Sequence, residues 1–386
     1  MPENENGKKI HPAKRAIDTL SDRVIEAFTG SDALVSVAVV LLGFLVATLL
    51  IIFIGRNPAG MYGAILQTVT GIWNRRGVWV WHPYFIGEWL VSSIPLILCG
   101  LSVAFAMRAG LFNIGAEGQY IIGLTAAQLV AIYFPPVPVL HWIAAVLGAV
   151  AAGALWGGIV GFFKARFKVS EVVATIMMNY IALYVHRIIT MRIPGSGTFQ
   201  TPPFSSTATI ASPLLANMTT PPSSLNYSLW FTIIAIAVFW LIMEKTRLGY
   251  SLRATGLNKD AAFYGGIGVN KNITVAMAIA GAFAGLAGAS VSLGVFSSGR
   301  ILAGFENYGF DGIAVALVGN STAVGTGLAG LLFGMLRAAQ SSMQSNQIPR
   351  EITSIIMGLI VVFISLRAGV KLIIDWRMKE KARRTA

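Results

Sequence analysis

The 386-residue chain is 55% hydrophobic and 12% charged, which excludes water as the solvent for most of its surface and makes it a polytopic membrane protein. Its net charge of +13 resides in short basic clusters between apolar runs, a topology signal and not the single stripe of a nucleic-acid binder. Cys99 is a lone cysteine and His11, His82, His141 and His186 show no metal-ligand spacing, so neither a disulfide scaffold nor a metal site is expected.

The chain begins with a polar segment, 1–32, of mixed charge and without the cleavage pattern of a secretory signal. A helix needs roughly 20 residues to cross a bilayer core, and against that length the apolar runs predict helices at 33–54, 89–108, 113–134, 140–163, 171–190, 229–245, 272–295 and 351–368. The stretch 304–341 is too long for one helix and is broken at "GNSTAVGTG", where glycines and hydroxyl residues favour a turn. It divides into two, which predicts an all-α membrane domain over 33–368 with about ten transmembrane helices, followed by a basic tail, 369–386.

Charge supports an even number. With ten spans, 21 of the 29 Lys and Arg residues fall on one side, which the positive-inside rule makes cytoplasmic. That side then carries both termini, Arg108, the "KARFK" turn and the loop 244–271. Nine spans would put the seven basic residues of the tail outside.

Opposite features are expected on the outer side. The segment 55–88 includes "WVWHPY", suited to an interfacial anchor. The loop 191–228 is rich in Pro, Ser and Thr and reads as extended and solvated, either a plain connection or a docking surface for an external partner.

Gly153, Gly157 and Gly161, and later Gly281 and Gly285, recur every fourth residue, the small-residue faces that let membrane helices approach closely. "GTGLAG" at 325–330 has the letters of a dinucleotide fingerprint, but no soluble strand precedes it, and no segment has the spacing and lysine of a P-loop. This chain is therefore not expected to bind and split ATP by any P-loop of its own, and no cofactor is expected in it.

The loop 244–271 has helix signals of its own. Asn258 suits an N-cap, Asp260 falls in the first turn, Ala261 and Ala262 propagate, and Gly265 and Gly266 stop the helix. So short a helix needs packing to persist, either in a groove of another protein through its alanines, Phe263 and Tyr264, or on the membrane surface.

Four blocks, "RAGLFNIGAEGQ", "SEVVATIMMNYIALY", "GYSLRATGLNKDAAFYGGI" and "GFDGIAVALVGN", occur in this order over 89–341. Together they resemble the permease subunits of bacterial ABC importers for nucleosides and simple sugars, within the wider branched-chain amino-acid and ribose permease family. The resemblance implies a type II importer-like helical fold in the bacterial cell membrane. It implies an ABC ATPase subunit, which would hold the ATP and Mg²⁺, a second, related permease chain and an extracellular substrate-binding lipoprotein as partners. It also implies that the 244–271 loop couples to the ATPase, through Arg253, Gly256, Asn258, Asp260, Ala261, Ala262 and Gly265. No nucleic-acid partner is implied.

Polar residues intrude at several apolar junctions: Asn113, Glu117 and Gln119 in "FNIGAEGQ", Asn179 in "MMNY", and Asn307 and Asp311 in "FENYGFDG". A carboxylate at membrane depth costs about 2.5–3.5 kcal/mol on insertion scales, so Glu117 is expected to face protein or a wet cavity. Either these residues line a translocation pathway or they cap helix ends, with Gly110, Gly115 and Gly118 breaking the helix nearby. So few charges elsewhere favour a neutral, polar substrate. Nucleosides fit, as do sugars, and the resemblance selects nucleosides; branched-chain amino acids stay an alternative. An ion-coupled transporter would show repeated halves and midplane carboxylates, for which Glu117 and Asp311 are a meagre set. An intramembrane enzyme lacks any catalytic constellation.

Overall fold

The computed structural model describes residues 32–75 and 78–364; most of the predicted segment 1–32 and the basic tail 369–386 lie outside the described residues. In chain order the elements are α1 (Asp32–Phe53), α2 (Ala59–Thr70), β1 (Ile72–Arg75), β2 (Val78–Trp81), α3 (Tyr84–Arg108), α4 (Ala116–Tyr133), α5 (Leu140–Phe167) and α6 (Glu171–Met191). There follow β3 (Gln200–Pro203), α7 (Pro213–Ala216), α8 (Ser228–Trp240) with a π-helical turn over Leu241–Lys245, α9 (Arg247–Leu257), α10 (Lys259–Tyr264), α11 (Val269–Gly294), β4 (Ser298–Arg300), α12 (Tyr308–Val318) and α13 (Ala323–Ser345). The last described helix is α14 (Glu351–Ile364).

Among the described residues five helices are long and apolar enough to cross a membrane: α3, α5, α6, α8 with its π turn, and α11. The protein is thus a helical, polytopic membrane protein. Two predicted spans differ from expectation. The helix predicted over 113–134 begins at Ala116, because Gly110 takes φ +72° and the chain over 109–115 runs back alongside α3 without helical structure. Of the two helices predicted within 304–341, α12 has only eleven residues, about 16 Å at 1.5 Å per residue, little more than half of a bilayer core.

The all-α expectation also omits two small ribbons, β1 with β2 and β3 with β4, both antiparallel. "VWVW" supplies the aromatic and β-branched residues that favour the first. Trp79 and Trp81 are exposed there, and the Trp81 indole donates to the Thr70 carbonyl at 3.1 Å.

Packing follows the glycines. On α5 Gly153 meets the backbone of Gly281 and Gly285 on α11, and Gly157 meets Met277 of that helix. On the other side of α11, Gly285 and Gly288 lie against the backbone of α4 at Gly123 and Tyr120. A Cβ at any of these contacts would force the helices apart, which is why bulkier residues are absent from this seam. Against it lies α3, fully buried through Ser93–Ala106, antiparallel to α13, with Ile97 facing Gly330 and Ser93 facing Gly334.

The loop 191–228 is not the extended, solvated chain that its composition suggests. It folds over the Tyr84 end of the bundle: the Phe204 and Ile210 N–H groups donate to Ser297 and Leu293 carbonyls at 2.8 and 3.1 Å, and Ile210, Leu215 and Leu225 are buried. Backbone donors paired to α11 and the strand beyond it, together with these apolar anchors, outweigh its polar composition.

Candidate functional site

Glu117, in the first turn of α4, is fully buried. One of its carboxylate oxygens accepts the backbone N–H groups of Glu306 and Asn307, both at 2.9 Å, and the other accepts that of Gly309 at 2.6 Å. These are the unpaired donors at the start of α12, so the carboxylate is a cap supplied from another helix. It also sits in the first turn of its own α4, and a negative charge favours both N-termini. Hydrogen bonds to a charged group contribute about 1.5–3 kcal/mol each, enough for three of them to offset the insertion cost of about 2.5–3.5 kcal/mol. Gly309 allows the approach, since a Cβ there would overlap the Glu117 backbone.

Beside this joint, three of the predicted polar residues are brought together. The Asn113 amide donates to Gln119 Oε1 at 2.9 Å and to Ser102 Oγ at 3.1 Å, and Gln119 Nε2 donates back to Asn113 Oδ1 at 3.2 Å. Asn179, from α6, accepts from the Gly118 N–H at 2.8 Å and donates to the Ile114 carbonyl at 3.0 Å. Each therefore supplies a peptide group of the broken stretch, or a polar neighbour, with a partner. Ser102 lies six residues from Arg108 on α3, roughly 9 Å along the helix axis, which puts the group well inside the span.

Sequence reasoning missed an ionic network around the same turn. The Arg300 guanidinium pairs with the Glu306 carboxylate, whose other oxygen accepts the Tyr120 hydroxyl proton at 2.7 Å. Arg337 of α13 lies 3.3 Å from Asp311, donates to the Glu306 carbonyl at 3.0 Å and stacks 3.9 Å from the Tyr308 ring centre. Arg300 reads as a loop charge and Arg337 as a span-end charge when taken in chain order, and only the return of 301–307 into the bundle joins them. His186 fixes the upper part of that segment: its Nε2 accepts the Leu302 N–H at 3.1 Å, while Nδ1 lies 2.8 Å from Thr125 Oγ1. Because Thr125 spends its own proton on the Ile121 carbonyl, Nδ1 is the protonated nitrogen of a neutral imidazole.

The segment between these two anchors is irregular, and Ala303, Gly304 and Asn307 are exposed on the surface of the chain. It lies alongside α4 and α6, between the level of His186 and that of Glu117. Non-helical backbone at such depth does not face lipid, because acyl chains cannot pair its peptide groups. A wet cavity or another protein must cover it. Tyr180 and Tyr184, one turn apart on α6, are exposed, and Tyr180 meets Phe305 edge to face at 5.1 Å.

At the Arg108 end, the predicted short helix forms as α10. Asn258 Oδ1 accepts the N–H groups of Asp260 and Ala261, both at 3.0 Å, and Gly265 closes the helix with its N–H on the Ala261 carbonyl at 2.9 Å. Asp260 and Ala261 are exposed and Ala262 is buried; Phe263 and Tyr264 are 69% and 88% exposed, apolar groups with no cover from their own chain. Arg253 and Gly256, both half-buried, instead contact their own chain. Arg253 and Arg108 both pair with Glu244, and Gly256 packs on the backbone of Arg108, Ala109 and Gly110. Asn272 ties α9 to α11 by donating to the Ser251 carbonyl and Thr255 Oγ1 at 3.0 and 2.9 Å.

Residues 85–365 match the family described as branched-chain amino acid transport system permease components. The chain is 38% identical over 352 residues to the guanosine ABC transporter permease protein NupP of Bacillus subtilis, an alignment covering 91% of this chain and 98% of that one. It is 34% identical to the nucleoside ABC transporter permease protein NupB of Lactococcus lactis, over 86% of this chain and 91% of the other. The glucose ABC transporter permease protein TsgB13 of Haloferax volcanii is 32% identical, over 85% and 86% of the two chains. No solved structure matches.

Proposed function

The chain belongs to the branched-chain amino acid transport permease family, and from that membership we propose that it is the membrane-spanning permease subunit of an ATP-driven importer for nucleosides. The observation that carries this reading is the 38% identity to a guanosine permease along nearly the whole of both chains. ATP is hydrolysed by a separate ABC ATPase. A second, related permease chain covers the exposed 303–307 segment, and an extracellular lipoprotein delivers the solute to the Tyr84 end of the bundle. The Arg108 end and both termini face the cytoplasm, and ten crossings include two broken ones, 109–133 and 295–318.

In this reading force enters at α10. Its exposed Phe263 and Tyr264 seat in the ATPase, and α9 carries the displacement to Gly256, which bears on Gly110 at the start of the irregular stretch 109–115. That stretch leads directly to Asn113, Gln119 and Glu117. The buried joint between α4 and α12 is then where a movement at one end of the bundle reaches the pathway. Asn113, Glu117, Gln119, Asn179 and Asp311 frame it, and Asn307 is the one of the six exposed at its surface.

Reconstitution in proteoliposomes with the ATPase, the partner permease and the binding lipoprotein tests the proposal. ATP-dependent uptake of radiolabelled guanosine is expected, with no uptake by the permease chain alone. Uptake that needs only this chain and an ion gradient overturns the importer reading, and ATP-driven uptake of glucose or leucine in place of guanosine overturns the nucleoside assignment.

A further inference from the structure

Two polar stripes face one another near the Tyr84 end of the bundle. On α3, Tyr84, Glu88 and Ser92 repeat every fourth residue, and on the antiparallel α13, Arg337, Gln340 and Gln344 follow at three- and four-residue spacing. Each set therefore lies along one helix face. Between them is a cavity of about 350 Å³ lined by all six, within the size range of small-molecule sites. Its floor is Arg337, the same guanidinium that holds Asp311 and the Glu306 carbonyl at the buried joint.

The chemistry of the lining narrows what fits. The Arg337 charge is engaged by Asp311 and by the Tyr308 ring, and Arg350 at the rim is paired with Glu351 at 3.4 Å. Glu88, which lines the cavity, accepts the Ser224 N–H on one oxygen at 2.7 Å, which fastens the outer loop to the rim. What stays unspent is a mixture of hydroxyls, two carboxamides and the Glu88 carboxylate, whose negative charge disfavours an anion and whose oxygen can accept a hydroxyl proton from a sugar-like solute. Polar side chains repeated along membrane helices are costly unless they serve a wet interior.

We infer that this cavity is a solute-binding vestibule within the single permease chain, taking a neutral hydroxylated solute of the nucleoside type before it reaches the joint at Glu117. The choice of nucleoside rests on the function proposed above; the existence of the vestibule does not. It lies between α3 and α13, apart from the exposed 303–307 segment, so each permease chain of an assembly would carry its own.

Thiol accessibility in intact cells expressing the full transporter tests this, and the chain's only cysteine, Cys99, is buried and gives a low background. Gln340→Cys and Ser92→Cys are each exposed to a membrane-impermeant methanethiosulfonate, with Leu147→Cys, on the exposed apolar face of α5, as the control. Modification at 340 and 92, slowed fivefold or more by guanosine, is expected, with none at 147. Should Gln340→Cys fail to reach the membrane, the nearly isosteric Ser92→Cys carries the experiment. No modification at either position, or modification that guanosine, glucose and leucine all leave unslowed, overturns the vestibule. Protection by glucose or leucine but not by guanosine keeps the vestibule and overturns the nucleoside assignment.

Discussion

Gly110 and Gly256 meet backbone to backbone. A Cβ built on Gly110 would lie 2.7 Å from the Gly256 Cα, and one on Gly256 would lie 2.8 Å from the Gly110 nitrogen, both inside van der Waals contact. At Gly110 the backbone is also left-handed, with φ +72°, which costs other residues about 1–2 kcal/mol. Gly256→Ala is therefore expected to separate α9 from the 109–115 stretch. In the reconstituted transporter, guanosine uptake should fall at least tenfold while ATP hydrolysis persists. Parallel loss of both activities, with assembly intact, would show that this contact does not relay motion.

Glu117→Gln exchanges one acceptor oxygen for an amide that cannot accept. Whichever way it turns, one or two of the N–H groups of Glu306, Asn307 and Gly309 lose their partner, and the charge that favours two helix starts is lost. A destabilisation of about 2–4 kcal/mol is expected, read as a clear drop in the melting temperature of the detergent-purified protein, and a larger one for Glu117→Ala. Unchanged melting with abolished uptake would assign the carboxylate to the solute path and not to the joint.

Asn258→Ala removes the acceptor for two N–H groups of a six-residue helix, at a cost of about 1 kcal/mol. That suffices to fray α10, so ATP-driven uptake should fall severalfold, whereas Asn258→Ser and Asn258→Asp, which still cap, should keep most of it. If all three variants behave alike, the cap is irrelevant to coupling.

Asn179→Leu is close in volume but leaves the Gly118 N–H and the Ile114 carbonyl without partners in the interior. Each buried orphan costs about 1–3 kcal/mol. Lower thermal stability is expected, and Asn179→Asp should not restore it, because a carboxylate cannot donate to the Ile114 carbonyl. Wild-type melting for the leucine variant would place water at those peptide groups.

What was legible in the sequence was local or periodic. The Asn258 cap, the Asp260 first turn and the Gly265 stop all act within a few residues, and the glycine faces of α5 and α11 declare themselves by spacing. Glu117 stands out of place in an apolar run, but its three donors lie 189 to 192 positions further on, and no local rule reaches that far. The same distance hides the roles of Arg300, Glu306 and Arg337, whose charges look like loop or boundary residues until the 301–307 segment folds back between α4 and α6. The start of α12 is set by Asn307 at φ 65° and by the cap from Glu117, so the helix begins only at Tyr308, and neither feature is visible in the hydropathy of 304–341. Arg253 and Gly256 contact their own chain while Phe263 and Tyr264 are exposed, a difference between α9 and α10 that sequence adjacency does not show.

The exposed, non-helical backbone around Ala303 and Gly304, which in the proposed importer a second permease chain covers, has a bearing on biogenesis. A solitary copy released into the bilayer would present that backbone to acyl chains that offer no hydrogen bonds, so its tolerance of that state is poor by construction. Orphan copies would carry their own mark for disposal, and the cell's stock of this protein would track the supply of whatever covers that seam and not its own rate of synthesis.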